Sequence, residues 1–349
     1  MRYPSFIKPG DTIGFPAPSF GCATEPYATR FDAALVRFAR MGYKVQEGPN
    51  ARLALGIGKS NTAEKCAEEL NHMYPSHRNQ ALISCGGGEL MCEDLPFIDF
   101  EKIRAADPKW YMGFSDNTNF TYTLTTLCDT ASVYGPCAGA FGMKKWHPSL
   151  KDAFSVLDGS GLKDNAFTFH GYKSFQLTEK DEERDPLASY RLNKRTHYRG
   201  LRPDGSCGDV SASGRLLGGC VDLLINMLGT PFDGTKDFIR KYRSDGILWF
   251  LECCDLTSMD MRRAIWQLKM AGWFQHASGF IIGRPLHYKE EMLGLDPYAA
   301  VYEPLKDLKV PVIFNADIGH LPPMIPIICG SMGSAWLEGQ NLTLKMALE

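Results

Sequence analysis

Strand-length apolar runs alternate with helix-length amphipathic runs through the first part of the chain, and this alternation constrains the fold more than any other feature. Thr12–Ala17 reads as a short strand, halted by Pro16 and Pro18. Glu25–Met41 places Phe31, Leu35 and Phe38 on one helical face. Tyr43-Lys44-Val45 is strand-like. Thr62–Met73 reads as a helix capped by Asn61, with Glu64 three residues on in a capping-box pattern. Gln80–Cys85 is a buried strand running into Gly86-Gly87-Gly88, and Lys109–Phe114 is another, followed by a helix over about Asp116–Leu127. This rhythm predicts a parallel sheet covered by helices. Its reactive groups belong at the carboxyl ends of the strands.

The rhythm breaks over residues 158–213, where Asp158-Gly-Ser-Gly161 signals a turn, Glu179–Asp185 is a charged run and periodicity is weak. A stretch of this length reads as a linker or a functional loop. Alternation then resumes. Gly214–Leu217, Gly246–Leu251, Phe280–Ile282 and Val312–Phe314 are strand-like, a final strand pair turns at Glu338–Asn341, and helices fall near Val221–Leu228 and Asp260–Ala271. At 349 residues the chain exceeds the roughly 100–200 residues of one domain. The reading is therefore two α/β domains: residues 1–165, then a linker or lid over 166–212, then 213–349.

Composition excludes several function classes. Lys+Arg number 38 against Asp+Glu 40, a formal charge of −2, which gives no electrostatic reason to expect a nucleic-acid polymer or an anionic membrane as partner. No apolar run approaches the ~18 residues that span a bilayer. Residues 1–10 lack the apolar core of an export signal, so a cytoplasmic location is expected. The 11 cysteines include no C-x-x-C pair and join no histidine at zinc-ligand spacing, so free thiols and no metal are expected. No cofactor motif is present: Gly86-Gly87-Gly88 lacks the G-x-G-x-x-G spacing of a dinucleotide site.

The chemistry concentrates at Trp110-Tyr-Met-Gly-Phe-Ser115-Asp-Asn-Thr118. An apolar strand runs straight into Gly113-x-Ser115 and a helix follows at once, the setting of a nucleophile elbow. The usual G-x-S-x-G is not matched, because Asn117 stands at the last position, and Ser115 acting only as a helix cap is the bland alternative. A serine nucleophile needs a base. Of eight histidines, His287 after Gly283-Arg-Pro and His320 after Asn315-Ala-Asp-Ile-Gly319 sit at strand ends, and the prolines following His320 stiffen its loop. An orienting carboxylate is offered by Glu252 at the tip of Ile247–Leu251, with Asp255 and Asp260 as rivals. The order Ser115, Glu252, His320 also occurs in α/β-hydrolases, although geometry rather than order defines a triad.

Gly10-Asp-Thr-Ile13 with Ala17-Pro-Ser19, Gly86-Gly-Gly88, Gly113-Phe-Ser-Asp-Asn-Thr118, Gly214-Arg-Leu-Leu-Gly-Gly219, Phe250-Leu-Glu252 and Gly319-His320 with Pro323 and Pro326 follow one another along nearly the whole chain. Together they resemble the LD-carboxypeptidase family of serine peptidases, which includes the microcin C immunity peptidases. The resemblance implies a Ser115–Glu252–His320 triad, a flavodoxin-like N-terminal domain, a swivelling-type C-terminal α/β domain and a homodimer. It implies hydrolysis of an amide in a small peptide-like substrate: a murein tetrapeptide or an aminoacyl-nucleotide. Cys85-Gly-Gly-Gly-Glu89 departs from the Arg-Gly-Gly-Tyr-Gly common in cell-wall members, but its glycines still allow Gly87 or Gly88, with Asp116, to supply oxyanion N–H groups. The immunity branch stacks a loop tryptophan on the nucleobase. Residues 147–248 of this chain hold none, leaving Tyr172, Tyr190 and Tyr198 as aromatic faces, with Arg191 beside Tyr190. Two other readings compete: a non-catalytic two-lobed small-ligand binder with the glycine turn as an anion cradle, and a cysteine hydrolase using Cys85.

Overall fold

The computed structural model describes residues 1–56, 58–177, 185–287 and 289–349. The chain divides into two compact units. One holds residues 1–162 together with the described residues 185–191, and the other holds 163–177 with 192–349.

In the first unit the order is β1 (Thr12–Phe15), α1 (Tyr27–Arg40), β2 (Lys44–Glu47), α2 (Ala63–Met73), β3 (Ala81–Ile83), α3 (Phe100–Ala105), β4 (Trp110–Gly113), α4 (Thr118–Cys128), β5 (Ser132–Tyr134) and α5 (Pro148–Asp158). The strands lie in the order β2-β1-β3-β4-β5, every neighbour parallel. This is the flavodoxin-like order, and it puts the loops that follow β1, β3 and β4 side by side at one edge. α1 buries Phe31, Ala34, Leu35 and Phe38, the spacing of a single helical stripe. The Phe38 ring lies 5.7 Å from Phe15, 5.4 Å from Phe141 and 5.6 Å from Phe154. Burying each such ring contributes about 1.5–3 kcal/mol. The capping box expected at α2 does not form. Asn61 spends its amide on Asn50 Oδ1 at 2.9 Å, Thr62 takes the N-cap position without a side-chain bond, and Glu64 is exposed.

The second unit contains β6 (Ala166–His170), β7 (Ser174–Phe175), β8 (Lys194–Arg195), β9 (Arg199–Leu201), β10 (Val210–Cys220), α6 (Val221–Met227), α7 (Thr235–Lys241), β11 (Ile247–Glu252), α8 (Ser258–Met270), β12 (Ala277–Gly283), α9 (Pro297–Leu305), β13 (Val312–Ala316), β14 (Ile327–Cys329), β15 (Met332–Glu338) and β16 (Asn341–Ala347). Its main sheet has the order β6-β16-β15-β10-β11-β12-β13-β9. β10 through β13 are mutually parallel and the outer pairs antiparallel. α8 begins with a true capping box, Thr257 and Asp260 each bonding the other's backbone N–H.

Residues 166–212, expected as a weakly structured linker or lid, contribute β6, β7, β8, β9 and the start of β10 to the second unit. These strands are short and paired with distant partners. β6 pairs with β16 and β9 with β13, so nothing local in the sequence reports them. Of the charged run Glu179–Asp185, only Asp185 lies within the described residues. Among the described residues no helix is long and apolar enough to cross a membrane.

Candidate active site

β4 delivers its chain into a single 3-10 turn, Ser115–Asn117, before α4 begins. Ser115 has φ 61, the left-handed region that non-glycine residues rarely enter. A serine held there costs on the order of 1 kcal/mol or more, and such strain collects where a side chain must be presented. Its N–H donates to the Tyr134 hydroxyl of β5 at 3.2 Å, and the residue is half-buried. A plain helix cap holds β-region backbone, so Ser115 at φ 61 is not one.

Asn117 explains why the last glycine of G-x-S-x-G is absent. Its amide donates to the Gly86 carbonyl at 2.8 Å, while its Oδ1 accepts from the Tyr111 hydroxyl at 2.5 Å. A Cβ on Gly113 would stand 2.7 Å from Asn117 Cγ, so glycine at 113 makes room for that side chain. Because a peptide is planar, fixing the Gly86 carbonyl also fixes the direction of the Gly87 N–H. The Gly87 carbonyl is fixed in turn, accepting from the Phe20 N–H at 2.7 Å. A Cβ on Gly87 would lie 3.5 Å from Ser115 Oγ, so a methyl group there would pack against the serine. Gly88 has φ 150, and a Cβ there would meet Ser19 Oγ at 2.1 Å.

Asp116 is fully buried and accepts from the Ser19 hydroxyl, from the Met91 N–H at 2.9 Å and from Asn119 at 3.0 Å. Burial raises its carboxyl above the ordinary value, with these bonds opposing. Its side chain therefore anchors the turn from below, which leaves the backbone N–H as the part suited to an oxyanion. Cys85 is buried, and burial followed by contact with Cys22 pushes its thiol well above the usual range. A neutral buried thiol is no nucleophile.

In the second unit Glu252 ends β11 and is fully buried, and His320 follows β13 on the loop after Gly319. His320 Nδ1 and Glu252 Oε2 are 2.8 Å apart. Glycine at 319 is required, since its φ is 96 and a Cβ would stand 2.2 Å from Glu252 Oε2. Burial pulls the imidazole pKa down. The Glu252 carboxylate and the adjoining Cys254 thiol outweigh that, so it stands well above the usual histidine value. Cys254 is itself anchored through its N–H to Asp222 at 3.0 Å. The rivals take other work: Asp255 is exposed, Asp260 caps α8, and His287 is exposed.

The remaining expected contacts fare differently. Tyr190 is half-buried with its ring 5.7 Å from that of His147, and Arg191 is exposed. Tyr198 is 6 % exposed and its hydroxyl bonds the Asp317 carboxylate, so it is packed into the second unit rather than presented as an aromatic face. Among the described residues no His, Cys, Asp or Glu cluster suits a metal ion. The bonding roles of Asn117, Ser19 and Tyr134 have no local sequence signal, because their partners Gly86, Asp116 and Ser115 stand 31, 97 and 19 residues away.

The family model described as the LD-carboxypeptidase N-terminal domain matches residues 13–135, and that for the C-terminal domain matches residues 213–334. The microcin C7 self-immunity protein MccF of Escherichia coli is 25% identical over 340 residues, covering 96% of this chain and 93% of MccF. A Bacillus subtilis protein named "Probable murein peptide carboxypeptidase" is 25% identical over 334 residues, covering 94% and 89%. The solved structure of MccF in complex with glutamyl sulfamoyl guanosine superposes with a TM-score of 0.78 at 22% identity, covering 99% of this chain and 98% of that one.

Proposed function

The chain belongs to the LD-carboxypeptidase family, and from that premise we propose that it is a serine peptidase cleaving an amide in a small peptide-like substrate. The observation that carries the reading is the 2.8 Å bond between His320 and the buried Glu252. Glu252 at Nδ1 leaves Nε2 as the ring atom to serve Ser115, as in any carboxylate–histidine–serine set.

In this mechanism His320 takes the Ser115 proton as Oγ attacks the amide carbon. The oxyanion that forms is met by the Gly87 or Gly88 N–H and that of Asp116. His320 then passes its proton to the departing amine, and water repeats the sequence on the acyl-enzyme to release the acid. Glu252 holds the imidazole tautomer and stabilises the imidazolium without taking a proton itself. Such oxyanion donors are each worth about 10²–10³ in rate.

Two substrate classes fit the family. The relatives include one named for murein peptide and one whose solved complex holds an aminoacyl sulfamoyl nucleoside. Half-buried Tyr190, with Arg191 next to it, is the aromatic and cationic pair we assign to a nucleotide; Tyr198 is not available for it. Purified protein assayed by mass spectrometry against a murein tetrapeptide and an aminoacyl-nucleotide analogue with a scissile amide tests both. Hydrolysis of either supports the peptidase, while tight binding of one without turnover, and no fluorophosphonate adduct on Ser115, favours the two-lobed binder.

A further inference from the structure

The loop that carries His320 is held on both sides by a single buried guanidinium. Arg284, the first residue past β12, is 3 % exposed and Asp317 is fully buried. Arg284 Nη1 bonds the Asp317 carboxylate ahead of the histidine, while Nη2 bonds the carbonyls of Leu321 at 2.5 Å and Pro323 at 2.6 Å behind it. The loop also closes on Asp317 through the Ile325 N–H, 2.7 Å from its carbonyl. The second carboxylate oxygen of Asp317 takes the Tyr198 hydroxyl and the Tyr172 N–H at 3.0 Å. Phe175 packs against the guanidinium, 4.9 Å from ring centroid to Cζ, and Gln176 N–H bonds the Pro322 carbonyl at 2.8 Å.

We propose that Arg284, Asp317 and Tyr198 are positioning residues that fix the His320 imidazole against Glu252. This rests on the reading of His320 as the general base. A buried ion pair adds little net stability, because desolvation offsets its attraction. What this pair supplies is geometry, since a planar guanidinium spans a carboxylate and two carbonyls at fixed separations, which no apolar side chain and no lysine reproduces. Tyr172, Phe175, Gln176 and Tyr198 thereby brace the histidine loop from behind.

The test uses the full-length protein and the variants Arg284→Lys and Tyr198→Phe, with His320→Gln to assign signals. Three readouts are followed: the downfield Nδ1 proton resonance of His320, its titration midpoint in labelled-histidine spectra, and kcat and KM on the best substrate. Arg284→Lys keeps the charge but reaches fewer of the three acceptors. It is expected to shift or lose the resonance, move the midpoint, and lower kcat about 10–100-fold with KM little changed. Tyr198→Phe, which removes one oxygen, is expected to do the same to a smaller degree, and its readouts decide the matter should the lysine variant not fold. Folded variants with a wild-type resonance, midpoint and kcat would overturn the proposal. If wild type cleaves nothing, the peptidase reading has failed, and the resonance and midpoint still decide whether these residues position His320.

Discussion

Glu252 Oε2 and His320 Nδ1 meet at 2.8 Å, although 68 residues separate them in the chain, with the carboxylate wholly out of solvent. β11 and β13 flank β12, so the two groups converge only because Gly283 and Gly319 leave space between them. Burying a carboxylate costs heavily unless a cationic or hydrogen-bonding group meets it.

The pH response follows from that contact. His320 has its pKa well above the usual histidine value of about 6.5. The base form is therefore populated only on the alkaline side, and the acid limb of kcat/KM is expected above that value. Glu252→Gln removes the charge favouring the imidazolium, so the limb moves to lower pH while kcat falls. Stability obeys the same sign. A raised native pKa contributes stability below the unfolded pKa and loses it as pH rises through the native one. The stability gap between wild type and Glu252→Gln should then narrow with rising pH, which urea titrations at several pH values would show.

Gly113→Ala places a methyl 2.7 Å from Asn117 Cγ. We expect a cost of about 1–3 kcal/mol, as for other overpacked sites. Displacing Asn117 also frees the Gly86 carbonyl and with it the Gly87 N–H, so kcat should fall more than the loss of stability explains. Melting curves and kcat measured together check this. A destabilised variant with unchanged kcat would detach Asn117 from the oxyanion turn.

Glu69 is buried and accepts from the Ala17 N–H at 2.8 Å and the Asn50 N–H at 3.0 Å, bracing the loop that leads to Ser19. Burial raises its carboxyl to about 7, against those two bonds. The unfolded carboxyl gives up its proton first, so stability should decline as pH rises from about 4.5 towards 7. Glu69→Gln should abolish that slope. It also sets an amide N–H against one of the two backbone donors, costing about 1–3 kcal/mol at neutral pH. Chemical denaturation across this pH range gives both quantities.

Much of this architecture is legible in the sequence because it is local. The stripe Phe31, Leu35, Phe38 announces α1, and the run Ile247–Leu251 announces β11 with Glu252 at its end. Ser115 was visible for the same reason: strand, glycine, serine and helix adjoin. What escaped depends on partners far away. β6 and β9 exist only through β16 and β13. Arg284 and Asp317 both stand in segments that the sequence singled out, beside His287 and His320, but nothing local pairs them. Tyr198 reads as an aromatic face for stacking because its hydroxyl partner, Asp317, stands more than a hundred residues on.

The central claim is that Ser115 is the nucleophile, and Ser115→Ala tests it most directly. The substitution removes one oxygen from a half-buried turn and should leave the melting temperature and substrate binding near wild type. Whichever amide substrate wild type cleaves, kcat should drop by roughly 10³-fold or more, as for other serine-nucleophile knockouts. No acyl-enzyme should appear in intact-mass spectra of the variant, whereas wild type should trap one acyl group per chain on Ser115. A folded Ser115→Ala protein that hydrolyses the substrate at a rate near wild type would contradict the account.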